Sequence, residues 1–134
     1  MTIDGYVTLG SERDTIYAAG ALVRDLDTAG VDMAVVAPSD RELVIYNRAG
    51  NERIRSESAR FRGRLIPACS VNPWYGKDAV MEAFRAFDGG ARMLVLHPSL
   101  QGFLMNDCLA DPVIAAAEER MIPVYVHTGP HLYG

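Results

Sequence analysis

The stretch "PVYVHTG" (Pro123–Gly129) decides the fold, because a short apolar run carries a histidine to its end and then breaks at Thr-Gly. Apolar runs of this length bounded by turn residues are typical of a buried strand. A second run, "MLVLHP" (Met93–Pro98), also ends in a histidine. Barrel enzymes collect their chemistry at the C-terminal ends of their strands. The two runs therefore predict a functional rim that contains His97 and His127.

Outward from these runs, short apolar segments alternate with segments of helical period. This alternation predicts β/α wiring with a parallel sheet. We predict strands at Ile3–Thr8, Met33–Ala37, Leu65–Val71, Met93–His97 and Val124–His127. We predict helices at Asp14–Ala29, Asn47–Phe61 and Lys77–Phe87, and a fourth that begins near Asp111. The predicted fold class is α/β, with parallel units forming a partial TIM-type barrel of about five strands and four helices.

Capping residues and apolar spacing predict the ends and the buried faces of two helices. Ser11 and Asp14 suggest a capping box for the first helix, and Gly30 supplies its C-terminal stop. Its apolar stripe is predicted to be Ile16, Ala19, Val23 and Leu26. In the fourth helix Asp111 is the expected N-cap and Pro112 the first helical residue. Its inward face is predicted to be Val113, Ile114, Ala117 and Met121.

Composition limits the classes of function. The 134 residues are 49% hydrophobic and 22% charged, with a formal net charge of -4. An acidic chain lacks the concentrated basic patch that nucleic acid or an anionic membrane requires, and the basic run from Arg48 to Arg64 is predicted to be a solvated helix face. The two cysteines, with no secretory signal, favour a cytoplasmic location, and Cys69 is predicted to be a core residue.

Four segments together resemble the amidohydrolase-related (amidohydrolase 2) metal-dependent hydrolases and decarboxylases of the TIM-barrel class. They are "DTAGVDMAVVAPSD" (Asp27–Asp40), "NERIRSESARFRGRLIPACSVNP" (Asn51–Pro73), "GARMLVLHPSLQGFLMND" (Gly90–Asp107) and "AAAEERMIPVYVHTG" (Ala115–Gly129). A complete barrel of this class needs about 250 residues. The resemblance therefore implies one domain over residues 1–134 that corresponds to the first half of the barrel.

The resemblance also implies a metal site, with one departure. Family members usually begin with a strand reading Asp-x-His-x-His, whereas this chain has Tyr6 and Thr8 at the two histidine positions. Neutral hydroxyls bind zinc poorly near neutral pH. The histidine that the family places at the tip of strand five matches His127. The implied cofactor is one divalent metal such as zinc, with a metal-free pocket as the alternative.

The candidate site residues follow from these placements. His127 and His97 are the catalytic candidates, and His127 is the candidate metal ligand, although each histidine also has a structural alternative. The candidate substrate contacts are Tyr6, Thr8, Asn72 and Trp74, with space filling and loop packing as alternatives. His131 is not expected to have a role.

Three functions remain open at this stage. The resemblance implies a subunit that hydrolyses or non-oxidatively decarboxylates a small carboxylated ring or unsaturated acid. Because two strand edges, Ile3–Thr8 and Val124–His127, lack neighbours, we expect a complementing protein chain, with a hetero-oligomer favoured over a homo-oligomer. The alternatives are a non-catalytic subunit that stabilises an intact relative and an open-sheet ligand-binding protein. No nucleic-acid or membrane partner is expected.

Overall fold

The computed structural model describes residues 1–12 and 14–129, so the prediction for His131 lies outside the described residues. The strands are β1 (Ile3–Thr8), β2 (Gly10–Glu12), β3 (Thr15–Tyr17), β4 (Met33–Ala37), β5 (Leu65–Pro67), β6 (Cys69–Ser70), β7 (Leu94–Leu96) and β8 (Val124–Val126). The α-helices are α1 (Ala19–Ala29), α2 (Asp40–Val44), α3 (Asn47–Arg60), α4 (Lys77–Asp88), α5 (Pro98–Gln101) and α6 (Asp111–Glu119). Two 3-10 turns cover Pro73–Tyr75 and Cys108–Ala110.

The parallel strands form two three-stranded sheets that hydrogen bonds around Ala68 join into one barrel-like wall, called here the main sheet, in which β5 and β6 share one strand position. Strand β4 pairs with β1 on one side and β5 on the other, while β7 pairs with β6 and β8. The predicted strand Leu65–Val71 is two pieces, because β5 pairs with β4 and β6 pairs with β7. Between them the backbone bonds both neighbours, with the Ala68 N–H donating to Val36 and the Cys69 N–H donating to Met93. The predicted fold class, parallel β/α units in a partial TIM-type barrel, is confirmed.

Side chains alternate between the two faces of this sheet. On the outer face, two apolar clusters lie under the helices; one contains Leu22, Val36 and Leu65, and the other contains Cys69, Leu94 and Val113. The inner face carries a smaller cluster built from Ala37, Leu43, Ala68 and Val95, with Tyr6, Val35, Met93, Leu100 and Tyr125 packed against it and only partly buried. Cys69 is a buried free thiol, as predicted.

The predicted first helix is wrong at its start. Residues Thr15–Tyr17 pair with Gly10–Glu12 as an antiparallel hairpin, and the helix begins only at Ala19. β-Branched and aromatic residues favour a strand, which explains the outcome for Thr15, Ile16 and Tyr17. Ser11 therefore lies in a strand and caps no helix. Ile16 is 78% exposed instead of lying on the apolar stripe.

Helix α3 matches its prediction within one residue, and α4 extends one residue beyond its own. The interpretation of Arg48–Arg64 as a fully solvated face is wrong in part. Arg53 is a half-buried residue whose guanidinium donates to Glu42 and to the Leu9 carbonyl. Helix α3 also buries polar residues against the strand ends, namely Asn47, Asn51 and Ser58. A single helix thus packs through amide side chains as well as through Ile54.

Smaller corrections concern helix ends and strand ends. Ala110 occupies the N-cap of α6, so Asp111 is its first helical residue. Met121 lies after the helix with φ 54° and is 90% exposed, so it does not face the core. Strands β7 and β8 stop one residue before His97 and His127. Helices α2 and α5 and the hairpin were not predicted.

Candidate functional site at the C-terminal rim

The two predicted histidines meet at the rim. His97 directly follows β7 and His127 directly follows the neighbouring β8, and their rings stack with centroids 4.1 Å apart and planes 20° from parallel. The His127 N–H donates to Leu96, which extends the β7–β8 ladder to the tip of the strand. Parallel register thus places the two imidazoles side by side. His97 is buried and His127 is half-buried.

The loop after β7 sets the hydrogen-bonding state of His97. The Leu100 N–H donates to His97 Nδ1 at 3.2 Å, so the imidazole caps the first turn of α5. A neutral imidazole that accepts at Nδ1 carries its proton on Nε2. The Nε2 edge of His97 is therefore a hydrogen-bond donor, as needed to hold a carboxylate oxygen.

Two tyrosines lie on the inner face below the histidines. Tyr6 on β1 stacks on Tyr125 on β8, with ring centroids 4.4 Å apart and planes 7° from parallel. Tyr125 and His127 are two residues apart on one strand and so point to the same face. Tyr125 was not predicted as a site residue. Its place two positions before the rim histidine was the signal in the sequence that would have found it.

Acidic groups surround the Tyr6 phenol. Burial, followed by the neighbouring Tyr125, Asp40 and Glu12, raises the pKa of Tyr6 well above its usual range. Glu12 accepts a hydrogen bond from the Asp40 N–H at 2.9 Å. Burial also raises the pKa of the Glu12 carboxyl, and the Asp40 carboxyl adds to the increase. Tyr6 is thus a neutral hydroxyl at physiological pH.

Of the remaining predicted substrate contacts, Asn72 and Trp74 form hydrogen bonds with neighbouring loops and helices. Thr8 is half-buried at the end of β1. Asn72 is buried and caps the 3-10 turn by accepting from the Trp74 N–H, while its amide donates to the Val44 carbonyl. The Trp74 indole is 60% exposed and donates to the Gly102 carbonyl at 3.0 Å. The structure brings Tyr6 together with Tyr125 and His97 with His127, while Asn72 and Trp74 belong to a separate loop cluster.

A groove of about 1240 Å³ opens beside the rim. The hairpin β2–β3 forms one wall of the groove, and helices α2 and α3 form the other. Glu12 and Asp40 line it, whereas neither rim histidine does. The groove thus reaches the acidic side of Tyr6 and not the imidazole pair.

The donor set at the rim tests the implied metal. Within residues 1–12 and 14–129 no cluster of three or more histidine, cysteine, aspartate or glutamate side chains has the arrangement of a metal site. The described rim offers the His127 imidazole, while Tyr6 and Thr8 contribute hydroxyls, and a phenol whose pKa is raised gives up its proton less readily. These residues do not fit a zinc or similar ion by themselves.

Comparisons with known proteins concern this fold. No family model and no curated protein matches the sequence. Solved structures do match. The chain has the fold of the amidohydrolase barrels. The 5-carboxyvanillate decarboxylase from Novosphingobium aromaticivorans, solved with manganese and 4-hydroxy-3-methoxy-5-nitrobenzoic acid, superposes with a TM-score of 0.80 at 17% identity, over 97% of this chain and 51% of that chain.

Two further amidohydrolase-fold structures agree. The 5-carboxyvanillate decarboxylase from Sphingomonas paucimobilis matches with a TM-score of 0.79 at 15% identity, over 94% of this chain and 51% of that one. The 4-oxalomesaconate hydratase from Rhodopseudomonas palustris matches with a TM-score of 0.67 at 18% identity, over 81% and 36%. The chain thus spans about half the length of the decarboxylases it matches. In its described part, no helix has the length and apolar character to cross a membrane.

Proposed function

We propose that this chain is a half-barrel subunit of an amidohydrolase-like enzyme. In the proposal it contributes the rim histidines to hydrolysis or non-oxidative decarboxylation of a small carboxylated ring or unsaturated acid. The observation that carries the proposal is the stacked pair His97–His127 at the C-terminal ends of β7 and β8. The likeness to decarboxylase and hydratase structures supports the substrate class.

The histidines have distinct roles in this proposal. The His97 imidazole, which its Leu100 contact holds at the rim beside His127, orients the substrate acid above the inner face. In decarboxylation the bond from the ring carbon to the carboxylate breaks and carbon dioxide leaves. The electron pair of the broken bond stays on the ring carbon. Protonated His127 then delivers a proton to that carbon. In hydrolysis neutral His127 accepts a proton from water as the water oxygen bonds to the acyl carbon. The bond from that carbon to the leaving oxygen breaks, and protonated His127 returns the proton to the leaving oxygen.

A divalent metal, if the assembled enzyme uses one, would polarise the carboxylate or activate a water. Two matching decarboxylase structures contain manganese. In this chain His127 would supply one nitrogen ligand, and the other ligands would have to come from outside the described residues. A His127 nitrogen bound to metal carries no proton, so the acid–base steps assigned above to His127 apply to the enzyme without that ion.

A completing chain is the second part of the proposal. Eight strands close a TIM barrel, and the parallel sheet described here has five strand positions. Among the described residues β8 pairs only with β7, and the inner-face side chains of Tyr6, Val35, Met93 and Tyr125 are half-buried. A partner that adds strands at these edges would pair the backbone and cover the apolar interior. We favour a different chain over a second copy, because five strands plus five do not reproduce eight.

Titration with 5-carboxyvanillate tests the substrate class. Histidine ring ¹⁵N signals of the chain are recorded during the titration, with vanillin, which lacks both carboxylates of 5-carboxyvanillate, as the control ligand. We expect 5-carboxyvanillate to shift the His97 and His127 signals and vanillin to leave them in place. The change His127→Ala should weaken this binding. Equal shifts with both ligands, or none with the folded protein, would contradict the proposal.

The stacked tyrosines favour one alternative, a non-catalytic subunit that stabilises an intact relative. Tyr6 and Thr8 stand where the resemblance implies two metal-binding histidines, and the Tyr6 ring fills interior space against Tyr125. The assembled complex separates these functions. Turnover unaffected by His127→Ala would support the structural subunit, whereas a loss of turnover with assembly intact would support the enzyme.

A further inference from the structure

The buried side chain of Gln101 connects several strand ends. Gln101 is the last residue of α5 and is only 4% exposed. Its Oε1 accepts a hydrogen bond from the backbone N–H of His97 at 2.9 Å. Its Nε2 donates to the carbonyls of Leu43 at 2.9 Å and Val71 at 3.0 Å. One amide group thus uses both its acceptor and its donors inside the protein.

The partners of Gln101 follow three successive strand positions of the barrel wall. Leu43 lies in the helix after β4, Val71 directly follows β6, and His97 directly follows β7. Ser70 strengthens the same junction, because its hydroxyl lies 3.4 Å from Gln101 Nε2 and donates to the Val95 carbonyl at 2.7 Å. Gln101 therefore ties the His97 loop to two neighbouring loops at the rim.

Besides the backbone hydrogen bond from the Gln101 N–H to the His97 carbonyl at 2.8 Å, two contacts from α5 hold His97. Its ring accepts from the Leu100 N–H, and its backbone N–H donates to Gln101. The first contact fixes the rotation and tautomer of the imidazole. The second fixes the backbone position from which the ring extends toward His127. Loss of either contact would let the ring turn away from the 4.1 Å stack.

We propose that Gln101 is a positioning residue that holds His97 in register with His127. Its relevance to catalysis rests on the proposed function, but the positioning itself does not. Gln101 acts on His97 through the backbone and has no role as an acid or base. Buried amides with every partner satisfied rigidify the elements they join, which suits a group that must keep one imidazole at a set distance from another.

Amide exchange and ring signals of His97 test the proposal. In Gln101→Leu we expect the His97 backbone amide to exchange about tenfold faster or more, which corresponds to the loss of one hydrogen bond of ordinary strength. We also expect the His97 ring ¹⁵N signals to move. Gln101→Glu keeps an accepting oxygen and, when protonated, one donor. Its His97 signals should therefore stay close to those of the wild type.

Asn51→Leu is the matched control. Asn51 is a buried amide of similar exposure that bonds the backbone of Ser70 in both directions and does not contact His97. Both leucine variants should lose stability, but only Gln101→Leu should move the His97 ring signals. Equal effects of the two variants, or unmoved His97 signals in Gln101→Leu, would overturn the proposal.

A measurement on the wild-type chain covers the case in which Gln101→Leu does not fold. At 2.9 Å, the bond from the His97 N–H to the Gln101 side chain should give a scalar coupling between the His97 nitrogen and the Gln101 side-chain carbonyl carbon. Absence of that coupling in well-resolved spectra would overturn the proposal. Because no ligand is needed, these results are independent of the 5-carboxyvanillate titration, and either proposal can fail alone.

Discussion

Tyr6 and Tyr125 stack ring on ring with centroids 4.4 Å apart, although they come from β1 and β8, the first and last strands of the main sheet. Strands at opposite ends of a flat sheet of this width would be too far apart for such a contact, since neighbouring strands lie about 4.8 Å apart. The stack therefore shows that the sheet is strongly curved. It also lies on the inner face, below the His97–His127 pair.

The Tyr6–Tyr125 stack should contribute measurable coupling energy. A double-mutant cycle of Tyr6→Ala and Tyr125→Ala is expected to give about 0.5–1.5 kcal/mol of interaction beyond area burial. Urea unfolding supplies the four free energies, and Tyr6→Phe serves as the control because it keeps the ring. Additive losses from the two alanine changes would show that the rings do not interact.

Alkali should destabilise the fold through Tyr6. Burial raises the folded-state pKa of Tyr6, whereas the unfolded value is about 10. Above pH 10 the unfolded chain releases a proton that the folded chain retains, so the free energy of unfolding falls as pH rises. Tyr6→Phe should reduce that fall. A second raised phenol, Tyr17, whose pKa of about 12 is due first to its hydrogen bond to Asp25, should contribute separately, as Tyr17→Phe would reveal.

Acid should destabilise the fold through Glu42. Burial alone would raise the pKa of Glu42, but hydrogen bonds from Arg53 and Ser39 outweigh it and lower the folded-state pKa. The unfolded chain then binds the proton first as pH falls below about 4.3, so this contribution is present above that pH and is lost through the folded-state pKa. Glu42→Gln should cost about 1.5–3 kcal/mol at pH 7. The difference between the two proteins should shrink in acid; a constant difference would contradict this.

Gly50 and Gly20 should respond in opposite ways to alanine. A Cβ on Gly50 would lie 2.6 Å from Glu42 Cβ, so Gly50→Ala must push α2 and α3 apart and should cost about 1–3 kcal/mol. At Gly20 the nearest atom would be 3.8 Å away, so Gly20→Ala is the matched control and should be neutral or stabilising by up to about 1 kcal/mol. Thermal unfolding compares them, and stabilisation by both changes would refute the close packing.

The parallel strands, α4 and α6 could be predicted because their apolar periods match the faces that the barrel buries, whereas α3 buries mainly polar residues beside Ile54. The hairpin Gly10–Tyr17 could not, since the spacing of Ile16 with Ala19 imitated a helical stripe. Helix α2 carried a usable signal, a capping box formed by Ser39 and Glu42. The Glu42 carboxylate accepts hydrogen bonds from the Ser39 backbone N–H and the Ser39 hydroxyl. The break at Ala68 depends on which neighbour each backbone group meets, and that information is not local.

Only the site residues that directly follow a strand could be predicted from the sequence. His97 and His127 follow apolar runs, so their placement at the rim could be inferred, but their stacking needs the register of β7 with β8. Gln101 was not predicted, and Asn51 lies in the Arg48–Arg64 run that was predicted to be solvated, because polarity alone does not reveal a buried amide with satisfied partners. Their burial follows from loops that meet only after the sheet has curled.

Mass in solution tests the central claim, that this half-barrel is completed by another chain, most directly. Multi-angle light scattering should show that the purified chain alone aggregates, and that it gives a defined mass above the 14.6 kDa of one copy only after a completing chain is added. Hydrogen exchange should then slow in β1 and β8 on assembly. A well-folded 14.6 kDa monomer with protected amides in both edge strands would contradict the account.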